Sequence, residues 1–225
     1  PFKKYYQIDW DIEHINPQAE EWVKRRLSRF DAISVRERTG IDILKHLGIN
    51  NAVQVLDPVF LLTADEWENV VGKDAKTYKY SSNQYILVYD FIDDSHIGAF
   101  VMDCASKTGL PVVAINDMRQ CSYAQYNITD AGPLEFVRLI AQAAMVITNS
   151  FHATAFSCIF NKDFYTFPLS TQHNSSRMTD LLKDMDVMER YIPTEMTEKR
   201  RDALKLEQGI AISKDYIDRN LQKMQ

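Results

Sequence analysis

The chain has 225 residues and a formal charge of −5, from 31 acidic against 26 basic side chains, which excludes a broad nucleic-acid-binding surface. Hydrophobic residues make up 45% and charged residues 25%, the proportions of a globular fold, and no run reaches the ~18 apolar residues of a membrane span. Cys104, Cys121 and Cys158 are irregularly spaced without a CxxC, the pattern of buried, reduced thiols, and predict a cytoplasmic protein.

Pro1 stands where an initiator Met would, so the chain is expected to be part of a longer protein. Residues 1–15 carry no clear pattern and are expected to form an irregular extension. Asn16-Pro17 starts a helix, and Ala19, Trp22, Val23, Leu27 and Phe30 form its apolar face, expected to pack on a sheet. Ala32–Val35 reads as a strand followed by Arg36. A helix from Thr39 is stopped by Gly48, and a second strand, Ala52–Leu56, ends in Asp57-Pro58. Thr63-Ala-Asp-Glu66 is a capping box. Tyr85–Phe91 is the clearest strand, and a helix through Cys104 to Gly109 follows it. Pro111–Ile115 is another strand, and residues 116–131 read as a long polar loop. Gly132-Pro133 begins a helix into Met145.

Met145–Thr148, a short β-branched run, gives way through Asn149, Ser150 and His152 to a helix over Ala153–Phe160. Phe164–Pro168 is the last strand. Ser176-Arg177 enters a helix carrying Met178, Leu181, Leu182 and Met185, and residues from about 197 to 225 read as a terminal helix. About six strands as continuous apolar runs, separated by helices, predict an α/β fold: one Rossmann-like, doubly wound, mostly parallel sheet in a single domain.

In such a sheet the strand carboxyl ends share one edge, so the polar residues following them should line one crevice. These are Arg36, Asp57, the Asp90/Asp93/Asp94 group, Asn116 with Arg119, Asn149-Ser150-His152, and the 170–177 loop with Asn174, Ser175 and Arg177. Ser150 and His152 stand at a helix start, where free N–H groups and the dipole favour an anion; an N-cap Ser beside a turn His is the plainer reading. Arg36 is either a ligand group or an ion-pair partner of Glu37 or Asp57, and Asp57 before Pro58 is also a common turn-former. The three aspartates precede a helix that carboxylates can cap, and no metal is predicted. GxGxxG and GxxxxGK[ST] are absent, against nicotinamide cofactors and P-loop chemistry.

Three segments, Asp31-Ala-Ile-Ser-Val-Arg-Glu37, Val55-Leu-Asp-Pro-Val-Phe-Leu-Leu62 and Ile147-Thr-Asn-Ser-Phe-His-Ala-Thr-Ala-Phe-Ser157, together resemble the polysaccharide pyruvyl transferase family. Asn174-Ser-Ser-Arg177 resembles its later helix entrance. The resemblance implies transfer of the enolpyruvyl group of phosphoenolpyruvate to sugar hydroxyls as a pyruvate ketal, on a surface or capsular polysaccharide or its precursor, which can be lipid-linked. It implies the C-terminal, donor-side half of a fold similar to GT-B glycosyltransferases, inactive without an N-terminal domain. Phosphoenolpyruvate enters as co-substrate, with no cofactor. Arg36 and His152 would contact the donor, His152 as anion clamp or general acid, with Arg177, Ser150 and Asn149 beside them and Asp57, Asn174 and Ser175 as further candidates. Two alternatives are the donor half of a nucleotide-sugar GT-B glycosyltransferase, which an aromatic or apolar slot for a base and a Glu pairing ribose hydroxyls would favour, and a non-catalytic α/β module that binds another protein.

Overall fold

The computed structural model describes residues 17–72, 74–80, 82–116, 119–169 and 176–193. They fall into two compact units, one ending at Asp57 and the other beginning at Pro58. The expected terminal helix and the candidates Asn174 and Ser175 lie outside the described residues.

The first unit holds helix α1 (Pro17–Leu27), strand β1 (Ser34–Val35), helix α2 (Arg38–His46) and strand β2 (Val53–Gln54). β1 and β2 pair in parallel as a separate two-stranded sheet, with Ser34 opposite Val53 and Val35 opposite Gln54. Val23, Leu44, Leu47 and Ile49 form its core. Gly48 takes a left-handed φ of 77° just past α2, a backbone that a side chain would strain. The expected apolar face of α1 is only half buried. Val23 is covered, but Trp22 and Phe30 are 42% and 63% exposed, and Trp22 instead carries the Arg26 guanidinium over its ring at 4.9 Å.

The second unit is a five-stranded, all-parallel sheet. It is formed by β3 (Ile86–Tyr89), β4 (Val112–Ile115), β5 (Tyr126–Ile128), β6 (Met145–Thr148) and β7 (Asp163–Thr166), in the order β5-β4-β3-β6-β7. Among the described residues the first two predicted strands pair with each other, in a sheet separate from that of the other strands. The predicted loop 116–131 contains the edge strand β5, whose register is Val113 opposite Tyr126 through Ile115 opposite Ile128. Its Tyr-Asn-Ile sequence is too short to show a period.

The helices are α3 (Ala64–Val71), α4 (Ser95–Thr108), α5 (Pro133–Gln142), α6 (Phe151–Ile159) and α7 (Ser176–Asp184). Both faces of the sheet are covered, which explains the unbroken apolar runs. Ile86 and Val88 pack with Ile97, Phe100, Val101 and Cys104 of α4. α5 is held to β3 by the Tyr85 hydroxyl, which donates to the Leu139 carbonyl at 2.7 Å. α6 is buried along nearly its whole length because its side chains are small: Ala153, Thr154, Ala155, Ser157 and Cys158. Its polar groups are satisfied internally. Thr154 Oγ1 lies 3.0 Å from both the Ser150 carbonyl and Thr166 Oγ1, and the Ser157 hydroxyl donates to the Ala153 carbonyl at 2.7 Å.

Two sequence signals set helix ends as expected. Thr63 and Glu66 form a reciprocal capping box at α3, and Gly109 closes α4 with φ 71°. At the β7 edge Arg190 donates to Asp163 at 2.6 Å, both side chains 7% exposed. No helix among the described residues is long and apolar enough to cross a membrane.

Candidate functional site

Strand order reverses at β3, which has β4 on one side and β6 on the other, so a crevice opens between the carboxyl ends of β3 and β6. Asp90 and Asn149 pin that point together. Asn149 Nδ2 donates to Asp90 Oδ1 at 2.7 Å, and Asn149 Oδ1 accepts from the Phe91 amide at 3.2 Å. Asp90 Oδ2 accepts from the Asp94 amide and the Tyr123 hydroxyl, each at 2.7 Å. Burial, then the hydrogen bond to Asp90, pushes the Tyr123 phenol far above its usual range. Gly98 makes room for that ring: a Cβ there would stand 2.6 Å from Tyr123 Cδ1. Asn149 is thus buried and engaged in holding two strand ends together.

The other aspartates have local duties. Asp94 caps α4 by accepting from the His96 amide at 2.8 Å, as a carboxylate before a helix should. Asp93, at φ 53°, accepts from the Ser122 amide at 2.9 Å. Arg119, placed in the same crevice by the sequence reading, is exposed.

Ser150 is the N-cap of α6; its hydroxyl accepts from the Ala153 amide at 3.4 Å and its own amide donates to Thr148 Oγ1 at 3.0 Å. The plainer reading of Ser150 is therefore correct as geometry, and it is also what fixes the turn that presents His152. His152 is exposed one residue into the helix. Between Ser150 and His152, Phe151 is 9% exposed, and the Arg177 guanidinium carbon stands 4.4 Å from its ring centroid. The structure thus brings Arg177, from the first turn of α7, to the amino end of α6, where the dipole favours an anion. The amino end of α5 is already served by its own Glu135. A hydrogen bond from the Lys76 amide, then one from the Glu135 amide, holds that carboxyl below its usual range.

Beside the α6 turn lies a cavity of about 480 Å³. Its walls are Trp67, Tyr89, Phe91, Phe136 and Phe156, with Asn116, Thr129, Ser150 and His152 as polar members and no Lys or Arg among the described lining residues. The rings touch edge to face: Tyr89 lies 4.9 Å from Phe91 and 5.1 Å from Phe136, and Trp67 lies 5.0 Å from Phe156. Trp67 is oriented by its indole N–H, which donates to the Val59 carbonyl at 2.8 Å. Asn116 is 7% exposed, and its Oδ1 is buried without a hydrogen-bond partner while Nδ2 faces Asn127 Oδ1 at 3.2 Å and Cys121 Sγ at 3.4 Å.

Sequence reasoning missed this aromatic wall. Trp67 and Phe136 sit at helical spacing indistinguishable from core packing, and Tyr89 and Phe91 belong to an apolar strand. The nearest usable signal was Asn116, a polar residue directly after a buried strand.

Arg36 and Asp57 belong to the other unit. There Arg36 Nη1 donates to Asp57 Oδ2, with the Arg36 side chain 38% and the Asp57 side chain 3% exposed. Pairing with Asp57 was one of the two readings open for Arg36, and the exposure leaves part of the guanidinium facing solvent. The cysteines are all buried and unbridged. Burial pushes the thiols up, to about 12 for Cys104 and Cys158 and about 11 for Cys121, so none is a ready nucleophile. No metal-binding group of His, Cys, Asp and Glu occurs among the described residues.

A parallel doubly wound sheet with an anion-favouring helix start at its reversal point defines a Rossmann-like α/β unit of the kind found in GT-B folds. One solved structure shares this fold at a TM-score above 0.5, and others are similar over part of their length. The UDP-GlcNAc 2-epimerase of Methanocaldococcus jannaschii, solved with UDP-GlcNAc and UDP, matches with a TM-score of 0.53 at 12% identity, over 86% of this chain and 60% of that one. The UDP-GlcNAc 2-epimerase of Neisseria meningitidis bound to UDP-GlcNAc gives 0.41 at 12% identity, over 81% and 57%. The wall teichoic acid polymerase TagF gives 0.44 at 12%, over 94% and 54%. The chain spans about three fifths or less of the length of each of these. No curated protein matches it. The family described as polysaccharide pyruvyl transferase matches residues 14–171, and the chain belongs to that family.

Proposed function

We propose that the chain is the donor-binding part of a pyruvyl transferase that moves the enolpyruvyl group of phosphoenolpyruvate onto two hydroxyls of a surface or capsular polysaccharide, or of its precursor. The observation that carries this reading is family membership over residues 14–171. Its chemistry asks for a site that favours an anion and for a proton donor. The amino end of α6, with His152 exposed on it and Arg177 close by, supplies both kinds of group. Arg36, through the motif that the family shares, is a donor contact in its own unit, its guanidinium suited to a carboxylate or phosphate.

In the proposed reaction a proton adds to the methylene carbon of phosphoenolpyruvate, and the cationic carbon takes the first sugar hydroxyl, which loses its proton. The carbon–oxygen bond to phosphate then breaks, and the second hydroxyl closes the ketal and gives up its proton to the departing phosphate. His152 is the candidate for the first proton or for the clamp on the donor anion. Phosphoenolpyruvate is a cytoplasmic metabolite, and the reaction belongs in that compartment.

A second reading, a nucleotide-sugar GT-B half, is supported by one feature the sequence did not reveal, the aromatic cavity as a slot for a base. Calorimetric titration with phosphoenolpyruvate and with UDP-GlcNAc separates the two. The expected result is phosphoenolpyruvate binding that Arg36→Ala abolishes. Preference for UDP-GlcNAc favours the second reading. His152→Ala with donor binding and turnover both intact overturns the role given to His152.

A further inference from the structure

We infer that the aromatic cavity holds an uncharged pyranose ring of the acceptor, and that phosphoenolpyruvate stays outside it, at the α6 turn. This rests on the saccharide acceptor of the proposed reaction.

The first support is charge. Phosphoenolpyruvate carries a carboxylate and a phosphate, and burying such groups without a cation is costly. The described lining offers five aromatic rings and no Lys or Arg. The second is size: about 480 Å³ lies within the ~300–1,000 Å³ of small-molecule sites and exceeds what a three-carbon acid fills. A pyranose has an apolar face to lay against rings and a hydroxyl edge to offer polar groups.

The third support is an unmet hydrogen bond. Asn116 is 93% buried (100 − 7) at the cavity wall, its Nδ2 is engaged by Asn127 and Cys121, and its Oδ1 lacks a donor. An unsatisfied buried acceptor is destabilising; this one is closed off from solvent, so a ligand hydroxyl satisfies it when the Asn116 amide turns toward the cavity that the residue lines. The fourth is adjacency. His152 lines the same cavity, so an occupant there stands beside the group proposed to serve the donor. A nucleobase would suit the aromatic walls, but it carries no hydroxyl to be converted to a ketal.

The test is saturation-transfer NMR on the full chain with methyl pyranosides of glucose, galactose, mannose and N-acetylglucosamine, beside uridine. Phe91→Ala is the variant, since Phe91 is 50% exposed and its truncation spares the core. At least one glycoside is expected to bind through its ring protons, with affinity falling about 2- to 10-fold in Phe91→Ala and no displacement by phosphoenolpyruvate. Absence of any glycoside signal, an unchanged affinity in Phe91→Ala, displacement by phosphoenolpyruvate, or selective binding of uridine would each overturn the inference. Phosphoenolpyruvate binding seen by calorimetry without glycoside binding removes this inference and keeps the proposed function. The converse pattern removes the proposed donor and keeps the sugar site.

Discussion

Two Arg–Asp pairs in this protein use the same chemistry for different ends. Arg190 and Asp163 are both 7% exposed at the edge of the five-stranded sheet, and the Arg190 guanidinium also lies over the Tyr165 ring at 5.3 Å. Arg36 and Asp57 pair in the smaller unit, but there only the carboxylate is buried and the guanidinium is 38% exposed. A sealed pair is committed to the fold. In the half-open pair the buried carboxylate orients a guanidinium that can still meet an anion from solvent. Ion pairing by itself therefore says little about function, and the exposure of the cationic partner says more.

The contrast can be broken most decisively at the sealed pair. Arg190→Ala leaves a buried carboxylate without its guanidinium and is expected to cost about 3–5 kcal/mol, read from the midpoint of urea unfolding. The next largest effect belongs to a sealed contact without an arginine. Asn149→Ala removes the bridge between Asp90 and the Phe91 amide and should cost about 1–3 kcal/mol in the same measurement. Arg36→Ala also strips a buried carboxylate of its partner, but water can replace the half-exposed guanidinium, so it should cost about 1–2 kcal/mol, less than Arg190→Ala, while abolishing phosphoenolpyruvate binding. A loss of stability equal to that of Arg190→Ala would erase the distinction between the pairs.

The smallest effect concerns the thiols. Each has a native pKa raised above the ~8.5 of an unfolded cysteine, so its neutral form favours the folded state. That contribution is complete below pH ~8.5 and is lost as pH rises through about 11 for Cys121 and about 12 for Cys104 and Cys158. At pH 8 a disulfide reagent should modify the native chain at least ~100-fold more slowly than the unfolded one. Rapid native labelling would show that the interior opens far more readily than its packing implies.

Much of the fold was legible because its signals were local. The capping box at Thr63, Pro133 at the start of α5 and Gly109 at the end of α4 mark their helices directly. The buried strands β3, β4 and β6 announced themselves as apolar runs. What escaped depended on partners distant in sequence. Three residues, Tyr126–Ile128, become a strand only because β4 is there to pair with. β1 and β2 read like the other strands, yet nothing local reveals that, among the described residues, they form a sheet of their own. In the site, Ser150, His152 and Arg177 were visible as polar residues at helix starts. Phe151, the ring that links the last two, looked like ordinary core. The aromatic cavity and the unmet Asn116 acceptor are products of packing, and no spacing encodes them.

The β3–β6 pairing sets a timetable for synthesis. Ile86 lies opposite Met145, which follows it by 59 residues (145 − 86). At ~5–20 residues per second, β3 leaves the ribosome roughly 3–12 s before the strand that completes the centre of its sheet. During that interval one side of a wholly apolar strand has no partner, and the chain is most open to capture by a chaperone or by a second nascent copy. Slowing translation between residues 90 and 145 should therefore lower the soluble yield, whereas slowing it after α6 should not.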